Sequence, residues 1–165
     1  MWRIPGLYCY SGCMRSILPA EENPALREKS SAVPEREIGG AKLKALVAEM
    51  RALLAKEKYG VALAAVQVGE PIRLFIVSGA ALSRGKRDAP DEPGERADDR
   101  PKGETPPPDL VFINPALTKV SRGKSLKHEG CLSIRGKWGE VRRAEKATLS
   151  YTDETGAPRT RGASG

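Results

Sequence analysis

Residues 60–80 read GVALAAVQVGEPIRLFIVSGA, and the reading of this stretch decides the fold. Val61 to Val68 is apolar except for Gln67, Gly69 and Pro71 punctuate it, and Ile72 to Val77 (IRLFIV) has the composition of a buried strand. On its N-terminal side, Leu43, Leu46, Val47, Met50, Leu53 and Leu54 fall at i, i+3, i+4, i+7, i+10 and i+11. That spacing predicts an amphipathic helix over residues 41–58 whose stripe packs into a core. Gly60 stands where a C-terminal glycine is expected. On the other side, LVFINPALTKV (110–120) predicts a strand running into Asn114-Pro115 and a second strand beyond it. ATLSY (147–151) predicts another strand, and TDETGAPR (152–159) has the Gly and Pro of a hairpin turn. One early helix with several short strands is an α+β pattern, short antiparallel strands around helices.

The chain has 165 residues, enough to bury a core without staples, and no run of 18 apolar residues, so no membrane helix is expected. Three cysteines argue against a disulfide framework and suit a reducing compartment. Residues 1–13 (MWRIPGLYCYSGC) contain no continuous apolar segment for a secretory signal. They are expected to be a non-native or disordered extension, with Met14 as the biological start and Cys9 and Cys13 as incidental thiols. Residues 84–108 carry six prolines and thirteen charged side chains but no Val, Ile, Leu, Met or aromatic residue, which makes them a disordered insertion within a single domain spanning 14–165. The formal charge is +7, and from Lys119 to Gly165 eleven Lys and Arg face five Asp and Glu. Such a basic third could touch RNA or a ribosome by neutralising phosphates. No aromatic residues interleave with it as in nucleic-acid motifs, so a solvated basic face is the favoured reading.

Two places carry chemistry. KHEGCLSIRGKW (127–138) holds the only histidine, His128, and Cys131. Cys131 is open to three readings: a nucleophile with His128 as its base, a buried structural thiol, or a metal ligand once deprotonated. A catalytic metal usually takes three protein ligands, and this stretch supplies at most two. Gln67, a lone amide in an apolar run, either lines a cleft or is satisfied by neighbouring backbone.

GVALAAVQVG (60–69) followed by EGCLS (129–133) resembles the peptide deformylases, which carry G-x-G-x-A-A-x-Q, then E-G-C-L-S, then H-E-x-x-H on a late helix. The likeness extends over ILPAEENPALREKSSAVP, FINPAL and EVRRAEKATLSYTDETG, hence over about 16–165 apart from the charged insertion. The resemblance implies a metallohydrolase that removes the formyl group from the N-terminal formyl-methionine of nascent polypeptides. Cys131 would then be the thiolate ligand of a divalent metal, iron(II) or else zinc or nickel. Gln67 and the backbone N–H of Leu132 would be the catalytic donors to the oxyanion. Val61, Ala62, Glu129 and Gly130 would bind the extended peptide. The partners implied are N-formylmethionyl nascent peptides and a contact with the ribosome, with no membrane and no DNA, in the bacterial cytoplasm or an organelle.

The chain departs from the pattern at four places. Ala62 replaces the second glycine of the first motif, Val66 stands where proline is frequent, and Arg135 occupies another frequent proline position. The fourth departure is the third motif: no H-E-x-x-H occurs in these residues. The expectation is therefore a deformylase-like chain cut short before its metal-binding helix, doubtful as a metal binder and inactive as given. A different class of function, a non-catalytic descendant that binds nascent chains or ribosomal RNA, is the alternative, and a Cys131-dependent thiol enzyme is a third. His128 matches no family ligand and is expected to be an ordinary surface residue.

Overall fold

A computed structural model describes residues 15–84 and 105–164. The extension 1–13 with Cys9 and Cys13, the start at Met14, and residues 85–104 of the charged insertion lie outside the described residues. The helix expected from the leucine stripe is α1 (Ala41–Ala55), and Leu43, Leu46, Val47, Met50 and Leu54 are its buried residues. It ends earlier than the stripe suggested, with Lys56 as a right-handed cap. Gly60 does not serve as a left-handed terminator. A Cβ there would stand 2.7 Å from Leu54 Cδ1 and 2.9 Å from Glu57 Cβ, so its smallness lets the chain fold back tightly against the helix end.

The strands β1 (Ala62–Ala64), β2 (Leu74–Val77), β3 (Leu110–Val120), β6 (Lys146–Thr152) and β7 (Pro158–Ser164) form one antiparallel sheet in the order β1-β2-β3-β6-β7. A separate two-stranded sheet pairs β4 (Lys124–Cys131) with β5 (Ile134–Ala144). A short helix, α2 (Gly79–Arg84), follows β2, and no helix follows it among the described residues. The hairpin expected around residues 152–159 is present: β6 turns into β7 with Thr152 opposite Pro158, and Gly156 takes φ +90° in the turn.

Two expectations need correction. Residues 110–120 form one strand, not two. Asn114 takes φ 51°, a conformation that asparagine tolerates, and Pro115 sits in the register shift between Ile113 and Ala116, where a missing N–H breaks no ladder bond. Both amide atoms of Asn114 bind the backbone of Val33, at 2.8 Å each, so the kink is locked to the N-terminal segment. The second correction is the β4–β5 hairpin, to which the sequence reading assigned no strand. Most of its side chains are half-exposed or exposed, so it lacks the apolar alternation that betrays a strand.

The core lies where α1 covers β1, β2 and β3. Met50, Leu63, Ile76 and Ile113 are fully buried there, each worth about 1.5–3 kcal/mol against exposure. On the opposite face of the sheet Phe75 stacks on Phe112 and Tyr151 lies tilted against Phe112, with successive ring centroids 4.5 Å apart.

Candidate active site

Leu63 leaves β1 into the core, and the chain then tightens into a 3-10 turn, Ala65–Val68, closed by Gly69 at φ 83°. Gln67 is the third residue of that turn, and its Oε1 reaches back to accept the Ala64 N–H at 2.9 Å. This bond, the backbone partner expected of a lone amide, fixes which end of the side chain is free. The Nε2 is turned outward as a donor, 3.2 Å from Ser133 Oγ and 3.8 Å from Cys131 Sγ. The two motifs, 64 residues apart in sequence, therefore meet at the Gln67 amide.

Cys131 ends β4, and Leu132-Ser133 make the turn into β5, with Cys131 opposite Ile134. Cys131 is exposed and free, which removes the reading of a buried structural thiol. Leu132 packs its side chain against the core, and Ser133 is 3% exposed, so the turn is held down at two points. A strap of residues 18–20 ties both motifs together: Leu18 N–H donates to Gln67 O at 2.9 Å and Ala20 N–H to Ser133 O at 2.8 Å. Asn23, wholly buried, donates from Nδ2 to Val66 O at 2.7 Å and braces the 3-10 turn.

The rim is built from both sheets. Val61 is 59% exposed and Ala62 is exposed on β1, an edge strand of the large sheet. Val61 O accepts from Ser78 N–H across toward β2, so alternation turns the N–H and C=O of Ala62 outward, away from the sheet. Glu129 lies on β4, and Arg143 donates to both its oxygens, Nε at 2.8 Å and Nη2 at 2.7 Å. The bidentate guanidinium holds this carboxyl below the usual glutamate range. Gly130 faces Trp138: a Cβ on it would stand 3.0 Å from Trp138 Cε3, so only glycine lets the indole lie across the strand. Arg135 leaves the hairpin to chelate Glu57 just past α1, at 2.6 and 3.2 Å.

The pairing of Cys131 with His128 is not made. Residues three apart on a strand point to opposite faces, and His128 stacks on Trp138 instead, the rings parallel to within 4° and 5.6 Å apart. His128 is the exposed surface residue expected of it. The divalent metal implied by the family resemblance finds one thiolate in Cys131. Among the described residues, no three His, Cys, Asp or Glu side chains come together as a metal site. One ligand does not make the three-ligand set of a catalytic metal, so the donors described do not fit it by themselves.

The sequence singled out Gln67, Cys131, Leu132, Glu129, Gly130, Val61 and Ala62. It missed Ser133 as the acceptor for Gln67, although Ser133 stands inside EGCLS. It also missed Arg143, fourteen residues from Glu129, which only the hairpin register brings within reach.

The family model described as polypeptide deformylase matches residues 14–165. A peptide deformylase of Zymomonas mobilis is 35% identical over 143 residues, covering 86% of this chain and 69% of its own length. One of Chloroflexus aurantiacus is 37% identical over 114 residues, covering 69% of this chain but only 55% of its own. The chain thus spans little more than half the length of some curated relatives it matches. A solved class I type b peptide deformylase of Acinetobacter baumannii superposes with a TM-score of 0.72 at 25% identity, over 93% of this chain and 85% of that one. With Gln67 and Cys131 brought together and the family match running from residue 14 onward, the chain belongs to the polypeptide deformylase family.

Proposed function

We propose that this chain carries the substrate-binding and oxyanion-stabilising part of a site that hydrolyses the N-terminal formyl group of newly synthesised polypeptides, giving formate and a free α-amine. The observation that carries the reading is the Gln67 amide, locked by Ala64 N–H so that its Nε2 donor faces the sulfur of Cys131. A donor fixed before reaction stabilises negative charge on the formyl oxygen without reorganising. The Leu132 N–H, on a turn whose Leu132 side chain packs partly buried against the core, is the second donor. Ala62 on the free edge of β1 and the exposed Val61 just before it, with Glu129 and Gly130 on β4, form the walls between which an extended peptide adds as a strand. The Acinetobacter baumannii structure described above holds Met-Ala-Ser, a peptide of the kind such walls would take. The metal that the family likeness implies for Cys131 is iron(II), with zinc or nickel as substitutes; it would need ligands beyond the described residues, and the setting is the bacterial cytoplasm or an organelle.

Formate release from formyl-Met-Ala-Ser, measured with metal-supplemented protein, tests the reading. Gln67→Ala should lower kcat by roughly 10²–10³-fold with little change in KM, the signature of a donor used in the transition state. Turnover unaffected by Gln67→Ala would remove its role. Activity lost in Cys131→Ala yet indifferent to chelators would favour the thiol enzyme, and binding of RNA or of unformylated peptides with no formate release would favour the non-catalytic descendant.

A further inference from the structure

The outer face of the β4–β5 hairpin meets the peptide-binding wall only at Gly130, and the rest of it has no part in the site. Register pairs Lys124 with Ala144, Leu126 with Arg142, His128 with Glu140 and Gly130 with Trp138, so these side chains share one face. It is open to solvent: Leu126 is 57% and Trp138 60% exposed, and Lys124, His128 and Arg142 are exposed. One face of the indole rests on Gly130, and His128 stacks parallel beside it. Lys124 and Arg142 enter none of the salt bridges found among the described residues, and Glu140 is the one acid on this face. The aromatic interleaving that the basic third lacks in sequence is therefore supplied across strands.

We infer that this face is a docking surface for single-stranded RNA, with an unpaired base stacking on the Trp138–His128 pair and phosphates meeting Lys124 and Arg142. An exposed indole sharing a face with cations outside any salt bridge, Arg142 and Lys124 lying beyond the His128–Glu140 pair, is a combination that sequence-tolerant single-strand binding uses, because every base offers a π-face and every linkage a charge. The chain's +7 charge complements such a partner, and an anionic polymer answers it where a neutral peptide would not. Its setting rests on the reading above, since Cys131 ends the same strand and a nascent chain emerges beside RNA. The binding itself is measured without catalysis, so the two readings fail separately.

The chain has two tryptophans, Trp2 and Trp138. In a Trp2→Phe background, titration with a twelve-nucleotide oligoriboadenylate should quench Trp138 fluorescence, and a duplex of equal length should bind more weakly because its bases are already stacked. Trp138→Ala, followed by anisotropy of labelled RNA, should weaken binding about tenfold or more, and Trp138→Phe should restore most of it. Lys124→Glu with Arg142→Glu should flatten the log–log salt slope by about 1.4, two phosphate contacts at about 0.7 each. That charge-reversed chain decides the matter if Trp138→Ala fails to fold. The inference is overturned if the oligonucleotide does not bind at low salt, if neither variant changes its affinity, or if formyl-Met-Ala-Ser quenches Trp138 while RNA does not.

Discussion

The two halves of the molecule are held together in different ways. From α1 to β3, apolar side chains meet across a helix–sheet interface, and Met50, Leu63, Ile76 and Ile113 have no solvent exposure. In the β4–β5 hairpin, Ser133 alone is buried, and Leu126, Ile134 and Trp138 face water. The first half holds Gln67 and the second holds Cys131. What crosses between them near the site is mostly polar: Gln67 to Ser133, Ala20 to Ser133, and Arg135 to Glu57. A rigid donor therefore faces a thiol on an arm that is tethered by a few hydrogen bonds. That division suits a cleft whose walls must admit a chain, because segments with little buried apolar contact open locally at low cost.

The comparison breaks most visibly with a cavity in each half. Ile76→Ala removes buried methylenes beside α1 and should destabilise the protein by about 2–4 kcal/mol, read from urea denaturation with an unchanged m-value. Ile134→Ala on the hairpin, 40% exposed, should cost far less, within about 1 kcal/mol. Equal losses at the two positions would mean that the hairpin is as tightly packed as the core, and the distinction would fall.

The same division explains what could be read from the sequence. Helix α1 was legible because Leu43 to Leu54 repeat at helical spacing against a core that hides them. Strand β2 was legible because Leu74 and Ile76 are buried and Phe75 stacks on Phe112. The hairpin was not, since the half-buried face of β4 is made by Ser125, Lys127 and Glu129, so its burial alternates without an apolar alternation, and KSLKHEGC looks the same to composition as a loop. Gln67 and Cys131 stood out one by one, as an amide among apolar residues and a cysteine in a dense polar run. Their meeting was carried by the family resemblance, because nothing in either stretch encodes a partner 64 residues away. Arg143 and the ring pair of His128 with Trp138 were hidden for the same reason: they depend on register, which a single sequence does not display.

The seam between the halves can be loosened without touching either core. Gln67→Ala leaves the Ala64 N–H and the buried Ser133 hydroxyl without this partner, and an unmade buried hydrogen bond costs about 1–3 kcal/mol. Amide hydrogen exchange should then quicken across residues 124–144 while α1 keeps its protection. Uniform quickening over both regions would show that the hairpin opens only when the whole molecule does.

The smallest effect is electrostatic and is confined to the hairpin. The Glu129 carboxyl titrates below its ordinary range because the Arg143 guanidinium hydrogen-bonds to it. As pH falls, the unfolded chain takes up its proton first, so the pair's contribution is whole above the ordinary glutamate range and disappears as pH drops through the folded value. Exposed pairs of this kind contribute about 0.2–1 kcal/mol, and Arg143 is more than half exposed. The difference in stability between the natural chain and Arg143→Gln should thus be constant near neutrality and shrink in acid. The two should converge at the lowest pH, and added salt should narrow the gap at every pH above it. A gap that widens in acid would mean that Arg143 steadies the hairpin through packing of its stem and not through Glu129, and the polar account of this half would need a new anchor.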